Sequence, residues 1–182
     1  MAIKKESEIN SKTVIKVAEL MAVAARTAPK ARGTDNLEIA IATGDSIKEL
    51  SEKMNEMGKK NKMDFFIRDA ENIKEAEAIL LIGTHIKTQG VKNCGMCGFK
   101  DCSGKKKHED APCVFNTNDL GIAIGSAVSV AANHNIDNRV MFSIGQAAMK
   151  LDMLGKGVMV AFGIPLSATA KNPFFDRPPV KI

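Results

Sequence analysis

Neither Trp nor Tyr occurs among the 182 residues, so large apolar volume must come from 8 Phe, 10 Met and the aliphatic side chains. The same lack weighs against a nucleic-acid surface, where basic charge is interleaved with aromatic platforms or carried on a recognisable reading motif. Net charge is only +5, and the lysine clusters at Lys4-Lys5, at Lys59, Lys60 and Lys62, and at Lys105-Lys106-Lys107 lie in polar stretches that read as solvated surface. Long apolar runs are missing too. The longest, Leu120 to Ala132, is about a dozen residues against the roughly 20 that a membrane helix needs. The opening Met1-Ala2-Ile3-Lys4-Lys5-Glu6 has no secretory core behind it. These absences predict a cytoplasmic protein that engages neither membrane nor nucleic acid. Cysteine is scarce, and all 4 fall between positions 94 and 113. In a reducing compartment such a cluster points to metal binding rather than disulfides.

What is present divides into periodic segments and one exception. Val14, Val17, Ala18, Met21 and Ala25 recur at helical spacing, predicting a helix from about Ser7 or Ser11 to Thr27 that stops before Pro29. Leu37, Ile39 and Ile41 alternate as a strand. Ser46-Ile47-Lys48-Glu49 fits a capping box for a helix with a stripe at Ile47, Leu50, Met54 and Met57. Short strands are expected at 64–67 and 78–83, with a short helix at 71–77 between them. Thr117-Asn118-Asp119 can cap a helix reaching Asn133, apolar nearly all round and so expected to be buried on most sides. Ser143-Ile144-Gly145-Gln146 is a second capping-box start, and Gly157 to Phe162 reads as a final buried strand. The Pro-rich tail with Pro173, Pro178 and Pro179 is irregular.

Residues 88–116 show neither period, and a loop of that length in a compact domain needs a reason. Its cysteines follow the pattern Cys94-x2-Cys97-x4-Cys102-x10-Cys113. Thiolate is the soft ligand selected by iron–sulfur clusters and by zinc. Two residues between the first pair let both sulfurs reach one centre. Gly95 and Gly98 allow backbone geometry that a side chain would block. An iron–sulfur cluster is the leading expectation; tetrahedral zinc and free or regulatory thiols stay open. Elsewhere, His108 is expected to be polar surface within the loop, and His134 to complement a helix dipole.

Asn93 to Cys102, with its Cys-Gly-x-Cys-Gly core, resembles the four-iron ferredoxin-type module of electron-transfer flavoprotein complexes and corrinoid iron–sulfur proteins, with a shorter last gap. That likeness implies a [4Fe-4S] cluster. The remainder resembles a nitroreductase. The likeness is carried by Ala24-Ala25-Arg26-Thr27-Ala28-Pro29 followed by a loop and Leu37–Thr43, by Leu120-Gly121-Ile122-Ala123-Ile124, and by Phe162-Gly163-Ile164-Pro165 with the later Arg177-Pro178. The combination is similar to a family of uncharacterised proteins containing a ferredoxin domain. The resemblance implies an α+β fold in which helices flank a sheet, one domain over 1–182 with the four-cysteine loop inserted at 88–116. It also implies a homodimer with FMN at the interface. Nitroreductases hold the flavin through an early Arg-x-Ser-x-Arg that this N-terminus lacks. Arg177 matches a phosphate-binding arginine of their C-terminal arm, and Lys30 and Arg32 bring positive charge from the loop.

Two functions follow. One is an iron–sulfur redox protein, serving a redox partner protein in electron transfer or acting as a nitroreductase-like oxidoreductase. The other is a non-catalytic dimeric binding or assembly module with a structural metal. The substrate is not legible.

Overall fold

The computed structural model describes residues 3–175. The first helix, α1, runs Glu6–Thr27. The apolar positions that predicted it face inward, with Val14, Ala18, Met21 and Ala25 fully buried. After a 3-10 turn at Ala31–Gly33 comes strand β1, Leu37–Ala42. Helix α2 (Asp45–Asn61) and helix α3 (Asp64–Asn72) lead through a second 3-10 turn, Ile73–Glu75, to β2, Ala78–His85. An irregular stretch containing the short helix α4 (Cys102–Lys106) follows. Then come α5 (Val114–Asn133), the two-residue β3 (Asp137–Asn138), α6 (Phe142–Lys150) and β4 (Val158–Ser167).

The sheet has the order β1-β2-β4-β3, and every pairing is antiparallel. Side chains alternate across a strand, and both faces here are covered. Ala78, Leu80 and Ile82 of β2 join the core beneath α1 and α5, while Ile79 and Leu81 join the core beneath α2, α3 and α6. That is why β2 reads as a continuous apolar run rather than an alternating one. A register shift between Thr84 and His85 ends the regular pairing with β4. The cysteine-bearing stretch leaves the sheet at this point.

Several expectations change. Residues 64–67 form the start of a helix, not a strand. Three apolar residues behind Asp64 carry no decisive period, but Phe66, Ala70 and Ile73 make a buried helical stripe. The helix expected over 71–77 is not a separate element: Glu71 and Asn72 end α3 and a 3-10 turn follows at Ile73–Glu75. Neither capping box is used. Helix α2 starts behind Gly44, whose φ of 52° is left-handed, and α6 starts behind Met141. Ser143 lies inside α6 and donates to Asp69 Oδ2 at 2.6 Å. Helix α5 begins at Val114, ahead of the predicted Thr117-Asn118-Asp119 cap. It is also not enclosed on all sides. Asn116, Asp119, Leu120, Ala123, Ala127 and Ala131 are buried, whereas Gly121, Ile122, Gly125 and Ser129 are exposed.

The chain after β4 is tied back onto the α3–α6 layer. Phe174, in a 3-10 turn at Pro173–Phe175, is fully buried, and its carbonyl accepts from Arg139 Nη1 at 2.9 Å and Asn72 Nδ2 at 3.2 Å. Arg177 lies outside the described residues.

Candidate metal centre

The irregular stretch over 86–113 is fastened at both ends. At its start the Lys87 amide donates to Asn116 Oδ1 at 2.8 Å, and Arg32 Nη1 donates to the Gln89 carbonyl at 2.8 Å. At its end Cys113 is the N-cap residue of α5, 5% exposed, and its carbonyl accepts from the Asn116 amide at 2.9 Å. The fourth thiol is therefore carried on a rigid element, while the first two stand on irregular chain.

Between these anchors the backbone turns sharply. Asn93, Gly95 and Gly98 have φ of 54°, 57° and 84°, the left-handed region that glycine enters at little cost. The Gly98 amide donates to the Gly95 carbonyl at 3.0 Å, closing a turn around Cys97. Asp101 then caps α4, its side chain accepting from the Gly104 amide at 2.8 Å, which fixes Cys102 at the first position of that helix. His108 stacks on Phe99 with ring centroids 5.1 Å apart, so it braces the segment internally. His134 is the C-cap residue of α5, as its predicted dipole role requires.

All four cysteines are free thiols; Cys94, Cys97 and Cys102 are half-buried and Cys113 is buried. The donor chemistry fits a thiophilic metal: four sulfurs, no disulfide, and a backbone shaped by left-handed residues. Their arrangement is more open than a bound metal would impose. Among the described residues, no group of three or more His, Cys, Asp or Glu side chains is drawn together as metal ligands.

Of the residues assigned to a flavin phosphate, Lys30 and Arg32 are among the described residues. Lys30 Nζ donates to the carbonyls of Ala25, Arg26 and Ala28 at 3.2, 2.6 and 2.8 Å, and its side chain is 5% exposed. It is committed to the open carbonyls at the end of α1, where a cation also meets the helix dipole favourably. Arg32, exposed and itself left-handed with φ 57°, points one guanidinium nitrogen at Gln89. The turn at Ala31–Gly33 and the cysteine segment are thus joined directly.

Both are also joined to α5, through residues that sequence reasoning passed over. The Asp119 carboxylate, 5% exposed, accepts from the Ala31 amide with both oxygens at 3.1 Å. Asn116, 1% exposed, holds Lys87 in the same manner. A signal existed, since Asn116 and Asp119 share the helical stripe of Leu120, Ala123 and Ala127. A polar group on a buried stripe demands a partner. At this junction Asn36 Nδ2, Gln89 Nε2 and Asn116 Nδ2 are buried without an acceptor among the described residues.

Comparison with known proteins places the chain. A family profile described as "uncharacterized protein containing a ferredoxin domain" matches residues 109–177, a stretch that includes Cys113 but not the other three cysteines. An uncharacterized protein of Archaeoglobus fulgidus is 45% identical over 184 residues, covering 97% of this chain and 98% of its own. The chain belongs to this ferredoxin-domain family. Among solved structures the ferredoxin-domain protein is similar to the nitroreductase CinD from Lactococcus lactis, with a TM-score of 0.60 and 17% identity over 93% of this chain and 81% of that one. An oxidoreductase containing FMN matches with a TM-score of 0.57 and 16% identity, over 86% and 67% of the two chains. A BluB-like flavoprotein from Clostridium difficile 630 matches at 0.54 and 16% identity, over 91% and 86%. At these identities the likeness is one of fold: the ferredoxin-domain protein has the nitroreductase-type α+β architecture. Among its described residues, no helix is long and apolar enough to cross a membrane.

Proposed function

We propose that this protein is a redox protein that holds an iron–sulfur cluster, of the [4Fe-4S] type, on Cys94, Cys97, Cys102 and Cys113. The observation that carries this is the concentration of every cysteine of the chain in one irregular segment, in a family described as containing a ferredoxin domain. When bound, such a cluster supplies one-electron transfer. The chain contributes a rigid anchor at Cys113 and two further thiols on irregular backbone, which can close on a centre without breaking a helix or strand. The left-handed positions at Gly95 and Gly98 bend the backbone round the thiols, and main-chain amides near sulfur are one of the levers that tune such centres. The lysines around the segment favour the reduced, more negative state.

The nitroreductase-type frame extends the proposal to a homodimer that carries FMN and passes electrons to a substrate or a redox partner protein. With Lys30 held by α1, the contacts proposed for the flavin phosphate fall to Arg32 and Arg177. Protein purified without oxygen should absorb broadly in the blue, bleach with reductant, and contain iron and acid-labile sulfide. Stoichiometric zinc in a colourless preparation would defeat the proposal, and flavin released on denaturation reports the second cofactor separately.

A second reading is favoured by the commitment of Lys30 to main-chain carbonyls: the frame has lost its flavin and the metal is structural, whether zinc or a cluster. Cys97→Ser should then lower the melting temperature by several degrees, because a structural site contributes directly to folding. Unchanged stability would rule this second reading out.

A further inference from the structure

A cleft of about 560 Å³ opens beside the cysteine segment, between the end of β2, the start of β4 and α4. Lys105 lines it and is only 4% exposed, while its neighbours Lys106 and Lys107 on the same turn are exposed. No hydrogen bond or ion pair satisfies the Lys105 ammonium among the described residues. Its stem is buried while the ammonium keeps a small opening to solvent, so the charge is held in place at the cleft wall and only partly hydrated, with no counter-charge bonded to it. Here the sequence reading of Lys105 as solvated surface is overturned. A cation fixed at the cleft wall by a buried stem, with no partner of its own, is placed to meet an anion.

The rest of the cleft narrows the choice. Lys87 and Lys106 add positive charge at its rim. His85 is fixed there, with Nδ1 3.0 Å from the Gly157 carbonyl and Nε2 3.1 Å from Glu38 Oε1. Ile86 and Met159, the latter 46% exposed, form an apolar wall. Glu109 and Asp110 also line the opening, and their charges would repel a polyanion. We infer that this cleft binds a small organic molecule with one oxyanionic group, a carboxylate or phosphomonoester paired with Lys105, and an apolar body against Ile86 and Met159. The inference does not depend on what the thiols bind.

Isothermal titration of the full chain, as isolated and at low ionic strength, tests it with benzoate, phenyl phosphate and pyrophosphate. Saturable binding of benzoate or phenyl phosphate at one site per chain is expected, and the pair separates a carboxylate site from a phosphate site. Pyrophosphate should bind more weakly than the better of the two. Lys105→Met, which keeps the aliphatic stem, should weaken binding at least tenfold, and Lys107→Met should not. No saturable binding, or equal weakening by the two variants, would overturn the assignment. Should Lys105→Met fail to fold, amide shifts of the unmodified protein on adding benzoate decide: changes over 85–88 and 157–159 support the site, and changes confined elsewhere refute it.

Discussion

Lys30 shows how a residue's surroundings reassign its part. Its ammonium meets three carbonyls at the end of α1, groups that no residue of the helix can pair with. Lys30→Met should therefore destabilise the fold by about 1–2 kcal/mol, the scale of charge-assisted bonds at a helix terminus, measured by urea unfolding. Were the lysine held in reserve for a flavin phosphate, stability would stay level and flavin content would fall instead. Nearby, burial alone would raise the Asp35 carboxyl. It is outweighed by the hydrogen bond from Arg26 at 2.7 Å, the bond from the Leu37 amide at 3.0 Å and the positive charges of Arg26 and Lys30, so the group titrates below its ordinary 3.8. A depressed folded-state value means the unfolded chain takes up the proton first. The stabilisation is complete above the ordinary value and is lost as pH falls through the lower, folded one. The stability gap between the wild type and Asp35→Asn should accordingly be constant near neutrality and shrink below about pH 4, followed by denaturant unfolding across that range. A gap that widened with acid would contradict the sign.

At the scale of elements, α6 lies directly against β4. A Cβ at Gly145 would strike the Ala161 carbonyl, and one at Gly163 would strike Ile144. Main chain cannot yield as a flexible side chain does, so Gly145→Ala should cost about 3 kcal/mol or more by forcing α6 off the sheet, read as a lowered melting temperature. The outer glycines Gly121 and Gly125, by contrast, have open space around them within the chain. The elements differ in how well the sequence announced them. Helix α1 and strand β1 were legible because burial of apolar side chains, the main force driving the chain to fold, imprints its own period, and β2 because burial on both faces leaves one short apolar run. Helix α3 was not, since Asp64-Phe65-Phe66-Ile67 suits either period and only packing of Phe66 beneath α6 decides. Ser143 misled for another reason. It carries the pattern of a capping residue, but the buried Asp69 carboxylate, also held by Arg68 at 2.6 Å, captures its hydroxyl. The cysteine positions of the candidate centre were plain from spacing. Its supports, Asn116 and Asp119, and the inward Lys105 were not, because nothing local says which polar residue will be buried.

The whole molecule leaves one face unfinished. Helices α1 and α5 cover one side of the sheet, and the outward surface of α5 carries no charge where a solvated layer would be charged, while α1 sets Leu20 and Val23 among exposed charges such as Lys16 and Glu19. Leu20 is 40% exposed, Val23 61% and Ile122 39%, with Gly121 and Gly125 allowing close approach along α5. The proposed homodimer would bury this surface. The inner stripe of α5 also carries Asn116 and Asp119, which hold the cysteine segment and the Ala31–Gly33 turn. Pairing across the outer face of α5 would thus set the two proposed cofactor regions on the helix that joins the protomers. Ile122→Lys puts a charge into that surface and touches neither the inner stripe nor a cysteine. Light scattering after size exclusion should give a dimer for the wild type and a monomer for the variant, with far-UV circular dichroism unchanged. Loss of the visible chromophore together with the dimer would mean that the centre needs the second chain, whereas a coloured monomer would confine it to one. A variant that remains dimeric would move the interface away from α5 and end this assignment of the apolar face.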